Sequence, residues 1–138
     1  MNKLLLLAVL IVASYSLSAQ VVNPTRVNFD CTALTEHLEL TNTKLYAGYS
    51  VVNDWSYPLN LTPGQVCGAV HIYYGNITSE YRLTVSYRYK GVSGYTSVMV
   101  QTKYVNGQPR QPWDVNLIFT PGPNGTLTVT NSFSFPNF

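Results

Sequence analysis

Residues 81–135 alternate apolar and polar side chains, and this alternation restricts the fold more than any other feature of the chain. Between Tyr81 and Tyr89 every second residue is apolar or aromatic, whereas the residues between them are polar or charged. Successive side chains of a β-strand point to opposite faces of a sheet, so a period of two indicates a half-buried strand and not a helix. The pattern therefore predicts an all-β fold.

Three further alternating segments follow the first, and we predict that the four strands between residues 79 and 135 form an antiparallel meander. With residues 91–94 as the first turn, Tyr87 lies opposite Val98 and Arg82 lies opposite Lys103. Opposed residues of an antiparallel pair share a face, and nearly all the inward positions are apolar in this register. The residues assigned to the inside include Leu83, Val85, Tyr104, Trp113 and Leu117. Each strand of the meander would pair with the next strand along the chain.

The first half of the chain is less regular and contributes several more short strands, which we expect to cover the apolar face of the meander as a second sheet. This predicts a small antiparallel β-sandwich of about seven to eight strands. A closed β-barrel is the alternative, because a similar number of strands can be arranged in either way.

The N-terminus has the order of regions that is typical of a secretory signal peptide. Lys3 precedes an apolar run over residues 4–12, and small residues follow as far as Ala19. The apolar run is too short to cross a bilayer of about 30 Å as a helix, so no transmembrane anchor is expected. We predict a signal peptide over residues 1–19, a single secreted β domain over residues 20–138, and an extracellular location.

The two cysteines, Cys31 and Cys67, both lie in the predicted secreted domain. An even number of cysteines in an oxidising compartment is most simply interpreted as a disulfide bond. Such a cross-link would contribute on the order of 4 kcal/mol by the chain-entropy estimate. Two buried free thiols are the alternative.

Charged residues make up only 10% of the chain, where about 25% is typical. Without Lys3, seven Lys and Arg face six Asp and Glu, a net charge of 7 − 6 = +1, which argues against a nucleic-acid partner. The predicted register nevertheless brings Arg82 and Lys103 together on the outer face, with Arg88 nearby, as a candidate anion-binding spot. Flexible cations that simply diverge into solvent are the alternative interpretation.

The sequence contains no recognisable motif for catalysis, for a cofactor or for a metal. The acidic residues form no acid/base motif, and no nucleophile elbow or glycine-rich phosphate loop is present. The two histidines have no ligand spacing with the cysteines. We therefore predict a protein that is not an enzyme and that has neither a metal site nor a cofactor.

Three triplets match the acceptor pattern for N-glycosylation, and they begin at Asn60, Asn76 and Asn124. All three fall in predicted loops or turns, where an attached sugar would be accommodated. Pro63 directly follows the first triplet and makes Asn60 the weakest of the three candidates.

Aromatic side chains in the loop over residues 53–63 provide the other candidate binding site. Trp55 and Tyr57 have little nearby to bury them, and exposed rings stack on sugars or anchor protein partners with little loss of entropy. We predict a secreted, non-catalytic binding module that recognises an extracellular glycan or protein surface, including an anionic one. The alternatives are a β-barrel carrier of a small apolar ligand and a structural or membrane-acting assembly subunit, and the oligomeric state is left open.

Overall fold

The computed structural model describes residues 24–56, 58–74 and 80–135, and these residues form a two-sheet β-sandwich. The predicted signal peptide, Tyr57 and Asn76 lie outside the described residues. Among the described residues, no helix is long and apolar enough to cross a membrane. The eleven strands of this part of the chain are β1 (Thr25–Asp30), β2 (Leu38–Ala47), β3 (Ser50–Trp55), β4 (Leu59–Leu61), β5 (Val66–Ile72), β6 (Tyr81–Tyr89), β7 (Val92–Val100), β8 (Lys103–Val105), β9 (Gln108–Arg110), β10 (Asp114–Pro121) and β11 (Leu127–Ser134).

The strands are divided between two main sheets and one small hairpin. Sheet A has the order β11-β10-β1-β5, and sheet B has the order β3-β2-β6-β7 with β4 also paired to β2. Strands β8 and β9 form a separate two-stranded hairpin, which comes after β7 of sheet B and before β10 of sheet A along the sequence. In the part of the chain that the structure describes, the two main sheets are separate and form no closed barrel, so the all-β sandwich is confirmed and the closed-barrel alternative for the fold is wrong.

The core lies between the sheets and is filled by the residues that the alternation assigned to the inside. In β6, Leu83 and Val85 are fully buried, and in β10 so are Leu117 and Phe119. The Tyr87 ring of sheet B packs edge-to-face on Phe119 of sheet A, with 5.5 Å between ring centroids. The period of two therefore identified the apolar faces of β6 and β10 correctly, whereas Tyr104 of β8, which it assigned to the inside, is 70% exposed.

The predicted four-stranded meander is wrong, because its strands belong to two different sheets. The β6–β7 hairpin lies in sheet B, and the β10–β11 hairpin lies in sheet A. Strand β10 pairs with β1 in parallel, with Val27 opposite Val115. Both sheets have an apolar inner face, so the alternation of β10 fits either sheet and cannot decide between them.

The predicted register of the β6–β7 hairpin is also wrong. The turn consists of only two residues, Lys90 and Gly91, with the positive φ angles of 50° and 77° that a tight hairpin requires. Tyr87 is therefore opposite Gly94 instead of Val98. The observed register differs from the predicted one by four residues of β7. A shift by an even number of residues keeps every inward side chain on the inner face, so the apolar pattern could not reveal the error.

Candidate binding cleft

The outer face of sheet A carries a row of polar side chains that three neighbouring strands place side by side. The parallel pairing of β1 with β10 sets Arg26 directly opposite Asp114 and Asn28 opposite Asn116. On the other side of β10, Ser134 of β11 lies opposite Asp114. Residues directly opposite each other share a face, so these side chains are within hydrogen-bonding reach.

Asp114 is the centre of this polar network. One of its carboxylate oxygens accepts hydrogen bonds from Arg26 Nε at 2.8 Å and from Asn28 Nδ2 at 3.0 Å, and the other accepts one from Ser134 Oγ at 2.9 Å. Asn28 Nδ2 also donates to Asn116 Oδ1 at 2.9 Å. The network fixes the positions of both charged groups relative to the sheet.

The same contacts control the ionisation of Asp114. Partial burial alone would raise the pKa of its carboxyl group, but the hydrogen bonds from Arg26, Asn28 and Ser134 outweigh the burial and hold the pKa below its usual value. Asp114 is therefore ionised at neutral pH and forms an ion pair with Arg26.

A buried chain of hydrogen bonds holds the segment that carries Trp113 next to this network. The hydroxyl of the fully buried Thr25 donates to the Pro112 carbonyl at 2.5 Å and accepts from the Tyr74 hydroxyl at 2.6 Å. The backbone N–H of Trp113 donates to the backbone carbonyl of Ser134, and the backbone carbonyl of Trp113 accepts from the backbone N–H of Arg26, both at 2.8 Å. The backbone of Trp113 is thus fixed on both sides, while the residue as a whole remains 51% exposed.

These elements border an open cleft of about 380 Å³, which we call the Trp113 cleft. An exposed indole therefore lies beside an ion pair whose groups offer hydrogen-bond donors and acceptors. Tyr73, which is 67% exposed, comes two residues after His71 and so points to the same side of the sheet. The residues that line the cleft are Pro24, Arg26, His71, Trp113 and Asp114.

The expectation that Trp55 lies in a loop with little to bury it is wrong, because Trp55 is the last residue of β3. Strands β3 and β4 run one after the other along the same edge of β2, with Trp55 opposite Thr43 and Leu59 opposite Leu40. Trp55 is on the inner side of β3 and packs, partly buried, against the core. Its predicted partner in binding, Tyr57, lies outside the described residues.

The predicted basic spot is also wrong, because the corrected register separates its members. Arg82 lies opposite Met99, and its guanidinium stacks 4.8 Å from the centroid of the Tyr46 ring. Arg88 Nη1 lies 4.0 Å from Glu39 Oε2 across the β2–β6 pair. Lys103 belongs to the β8–β9 hairpin, where its ammonium lies 4.4 Å from the centroid of the Phe135 ring.

The predicted disulfide is absent, and Cys31 and Cys67 are free thiols. Cys67 is opposite Phe29, whereas the N–H of Cys31 bonds to the carbonyl of Gln65, so the cysteines are diagonal neighbours across β1 and β5. Diagonal residues have Cα atoms about 7–8 Å apart, which exceeds the reach of about 4.4–6.8 Å for a disulfide. Burial, together with the nearby Cys67 and Asp30, raises the pKa of Cys31 to about 12.

The two described glycosylation candidates have different surroundings. Asn60 lies in strand β4, opposite Glu39, so its predicted placement in a loop is wrong. Asn124 is exposed in the turn between β10 and β11, as the sequence predicted. Whether either asparagine, or Asn76, carries a sugar remains a prediction.

Sequence reasoning missed every residue of the Trp113 cleft. Arg26 and Asp114 are separated by 88 positions, and no local spacing connects them. Trp113 was assigned to the core by its alternation with Val115, although it precedes the first residue of β10 at the end of the sandwich, where solvent reaches it. The only available signal was an aromatic residue directly before an acidic residue at the start of a strand.

Comparisons with known protein families, with curated proteins and with solved structures give no match to this chain. No known activity can therefore be transferred, and the case for function depends on the geometry of the cleft.

Proposed function

We propose that this chain is a secreted, non-catalytic module that binds extracellular glycans in the Trp113 cleft. The observation that carries the proposal is the half-exposed Trp113 indole beside the hydrogen-bonded Arg26–Asp114 pair. The apolar face of a pyranose ring, which consists of C–H groups, stacks on an aromatic surface, and its hydroxyls bond to charged donors and acceptors. A cleft with one aromatic wall and a few fixed polar groups suits this type of ligand.

The shape of the cleft favours a chain of sugars over a small enclosed molecule. The cleft is open to solvent, so a saccharide with more than one sugar unit can extend beyond it. Tyr73 and His71 extend the polar and aromatic surface beyond β1 towards β5. A second sugar could then contact this part of the face while the first stacks on Trp113.

Two features of Asp114 favour binding over glycoside hydrolysis. Glycosidases ordinarily use two carboxyl groups on either side of the scissile bond, one of them with a raised pKa so that it can act as an acid. Asp114 is the only carboxylate among the described residues that line the cleft, and its pKa is lowered. Its three hydrogen bonds hold it as a fixed acceptor and do not prepare it to donate a proton.

An extracellular location agrees with the signal-peptide pattern of residues 1–19 and with the accessible triplet at Asn124. Asn124 is at the opposite end of the β10–β11 hairpin from Asp114, about 24 Å away along an eight-residue strand. A sugar attached there would leave the Trp113 cleft accessible.

A glycan-binding screen of the exported protein and its Trp113→Ala variant tests the proposal. We expect the wild type to bind a defined set of glycans and the variant to bind them about tenfold or more weakly, as is typical when a central aromatic contact is removed. Tyr49→Ala is the matched control, because Tyr49 is a fully exposed aromatic at the tip of the β2–β3 hairpin in sheet B and is not one of the residues that line the cleft.

Tryptophan fluorescence provides a second measurement, since the chain contains only two tryptophans and Trp55 packs against the core. Binding in the cleft should change the emission of the wild type and leave that of Trp113→Ala unaltered. The proposal fails if no glycan binds, or if Trp113→Ala binds as tightly as Tyr49→Ala.

A further inference from the structure

One side of the sandwich presents two strand edges that carry no charge. Strand β7 ends sheet B, strand β11 ends sheet A, and neither strand contains a charged residue or a proline. A Cβ atom at Gly125, just before β11, would lie 3.1 Å from the Val92 side chain at the start of β7. At the other end, Lys103 and Phe135, which follow β7 and β11, are in contact. The two strands thus flank the same side over their full length, and we call them the uncharged edge.

The edges on the opposite side of the sandwich are protected in the usual ways. Strand β5 pairs with β1 through a bulge at Val27 and Asn28. The β3–β4 edge is interrupted between Trp55 and Leu59, contains Pro58 in the interruption, and carries the charge of Asp54. Bulges, breaks, prolines and charges prevent a sheet edge from pairing with another chain. The uncharged edge has none of these features.

The backbone of β7 has hydrogen-bonding groups directed away from its own sheet. The two residues that flank a two-residue hairpin turn form a hydrogen-bonded pair, which here is Tyr89 with Val92. Along the hairpin, hydrogen-bonded pairs then alternate with pairs whose N–H and C=O groups point away from the partner strand. The N–H and C=O groups of Tyr95, Ser97 and Met99 therefore point to the free side of β7. No other strand of the described residues pairs with β7 on that side.

Apolar side chains along the same side are incompletely covered. Leu127, Val129 and Phe133 of β11 point towards the core but remain partly exposed, because no strand of the described residues lies beyond β11. On the outer face of β7, Tyr95 is 61% exposed and Met99 is 51% exposed. A strand added at this side would cover apolar surface as well as pair backbone groups.

From these observations we propose that β7 pairs antiparallel with β7 of a second copy of this chain, forming a homodimer through the uncharged edge. About a two-fold axis at Ser97, Tyr95 of one copy faces Met99 of the other and only Ser97 faces its own copy. The free backbone groups of the two strands are then matched, and no like charges meet, because β7 contains no charged residue. The nearest charged residues, Lys90 and Lys103, lie outside the strand and limit the pairing to its nine residues. This proposal does not depend on the glycan-binding proposal.

The test is a Ser97→Pro substitution, measured by sedimentation over a range of concentrations. Proline removes one N–H on the free side of β7 and leaves the β6–β7 hydrogen bonds intact, a position where edge strands tolerate it. We expect the wild type to dimerise and Ser97→Pro to dimerise about tenfold or more weakly. Ser97→Ala, which keeps the N–H, is the control and should dimerise like the wild type.

A second variant and a second measurement cover the possibility that Ser97→Pro does not fold. Ser97→Lys leaves the backbone unchanged but places like charges across the two-fold axis, and it should also weaken the dimer. In hydrogen exchange, the Tyr95, Ser97 and Met99 amides of the wild type should become protected as its concentration rises. A wild type that is monomeric at its highest soluble concentration would overturn the proposal. So would a dimer that Ser97→Lys leaves intact, or one in which these amides stay unprotected.

Discussion

Replacing Asp114 with asparagine removes the negative charge at the centre of the polar network and keeps the shape of the side chain. The carboxylate accepts hydrogen bonds from Asn28 and Ser134, each worth about 1–1.5 kcal/mol in a partly buried setting. Its ion pair with Arg26 adds less than about 1 kcal/mol, because the Arg26 side chain is 57% exposed. The amide retains one acceptor oxygen, so we expect Asp114→Asn to lower the free energy of unfolding by about 2 kcal/mol at neutral pH.

This loss should depend on pH in a defined direction. The pKa of Asp114 is lower in the folded protein than in the unfolded chain, so its charge stabilises the fold above the unfolded value of about 3.9. That stabilisation disappears as the pH falls through the lower, folded pKa and the wild-type carboxylate is protonated. The difference between wild type and Asp114→Asn should therefore shrink below about pH 4.

Urea denaturation of both proteins at neutral and acidic pH measures this difference. Glu39→Gln is the control, because Glu39 makes only a surface ion pair with Arg88 at 4.0 Å and should change stability by less than about 0.5 kcal/mol. If Asp114→Asn costs no more than Glu39→Gln at neutral pH, or if its cost persists in acid, the charge of Asp114 does not hold the network together.

Two further predictions concern the thiols and the register of sheet B. A thiol reagent should modify the partly exposed Cys67 of the native protein quickly and Cys31 only after unfolding, because Cys31 is buried and its pKa is raised to about 12. Equal modification rates for the two cysteines, or an absence of free thiols by mass spectrometry, would contradict this prediction. Gly94→Ala should destabilise the protein by about 1–3 kcal/mol in urea denaturation, because the new methyl group would overlap the buried ring of Tyr87. The control, Ser93→Ala, changes an exposed residue and should have little effect on stability. Similar losses of stability for the two variants would refute the pairing of Tyr87 with Gly94.

The fold class and the division into inside and outside faces were determined by the sequence alone. Leu83, Val85 and Leu117 were assigned to the core from the period of two, and all three are fully buried. This works because the pleat of a strand is a local property of the backbone, and an apolar residue at every second position records it directly.

The partner of each strand was decided only by the tertiary structure. The alternation of β10 is satisfied in either sheet, and its parallel pairing with β1 depends on residues that are distant along the chain. The register of β6 and β7 depends on the two-residue turn at Lys90 and Gly91, and an even slip leaves the apolar pattern unchanged. The corrected pairings separated Arg82 from Lys103 and left the two cysteines diagonal to each other.

The candidate site, like the strand pairing, was decided by the tertiary structure and not by the local sequence pattern. The parallel pairing of β1 with β10 brings Arg26 to Asp114 across 88 positions, and the end of the sandwich exposes Trp113, which the alternation had assigned to the core. A local pattern reports the face on which a side chain lies, but a site built from several strands depends on which strands are neighbours. That choice is made when both apolar sheet faces are buried against each other, so it belongs to the whole fold and to no single segment.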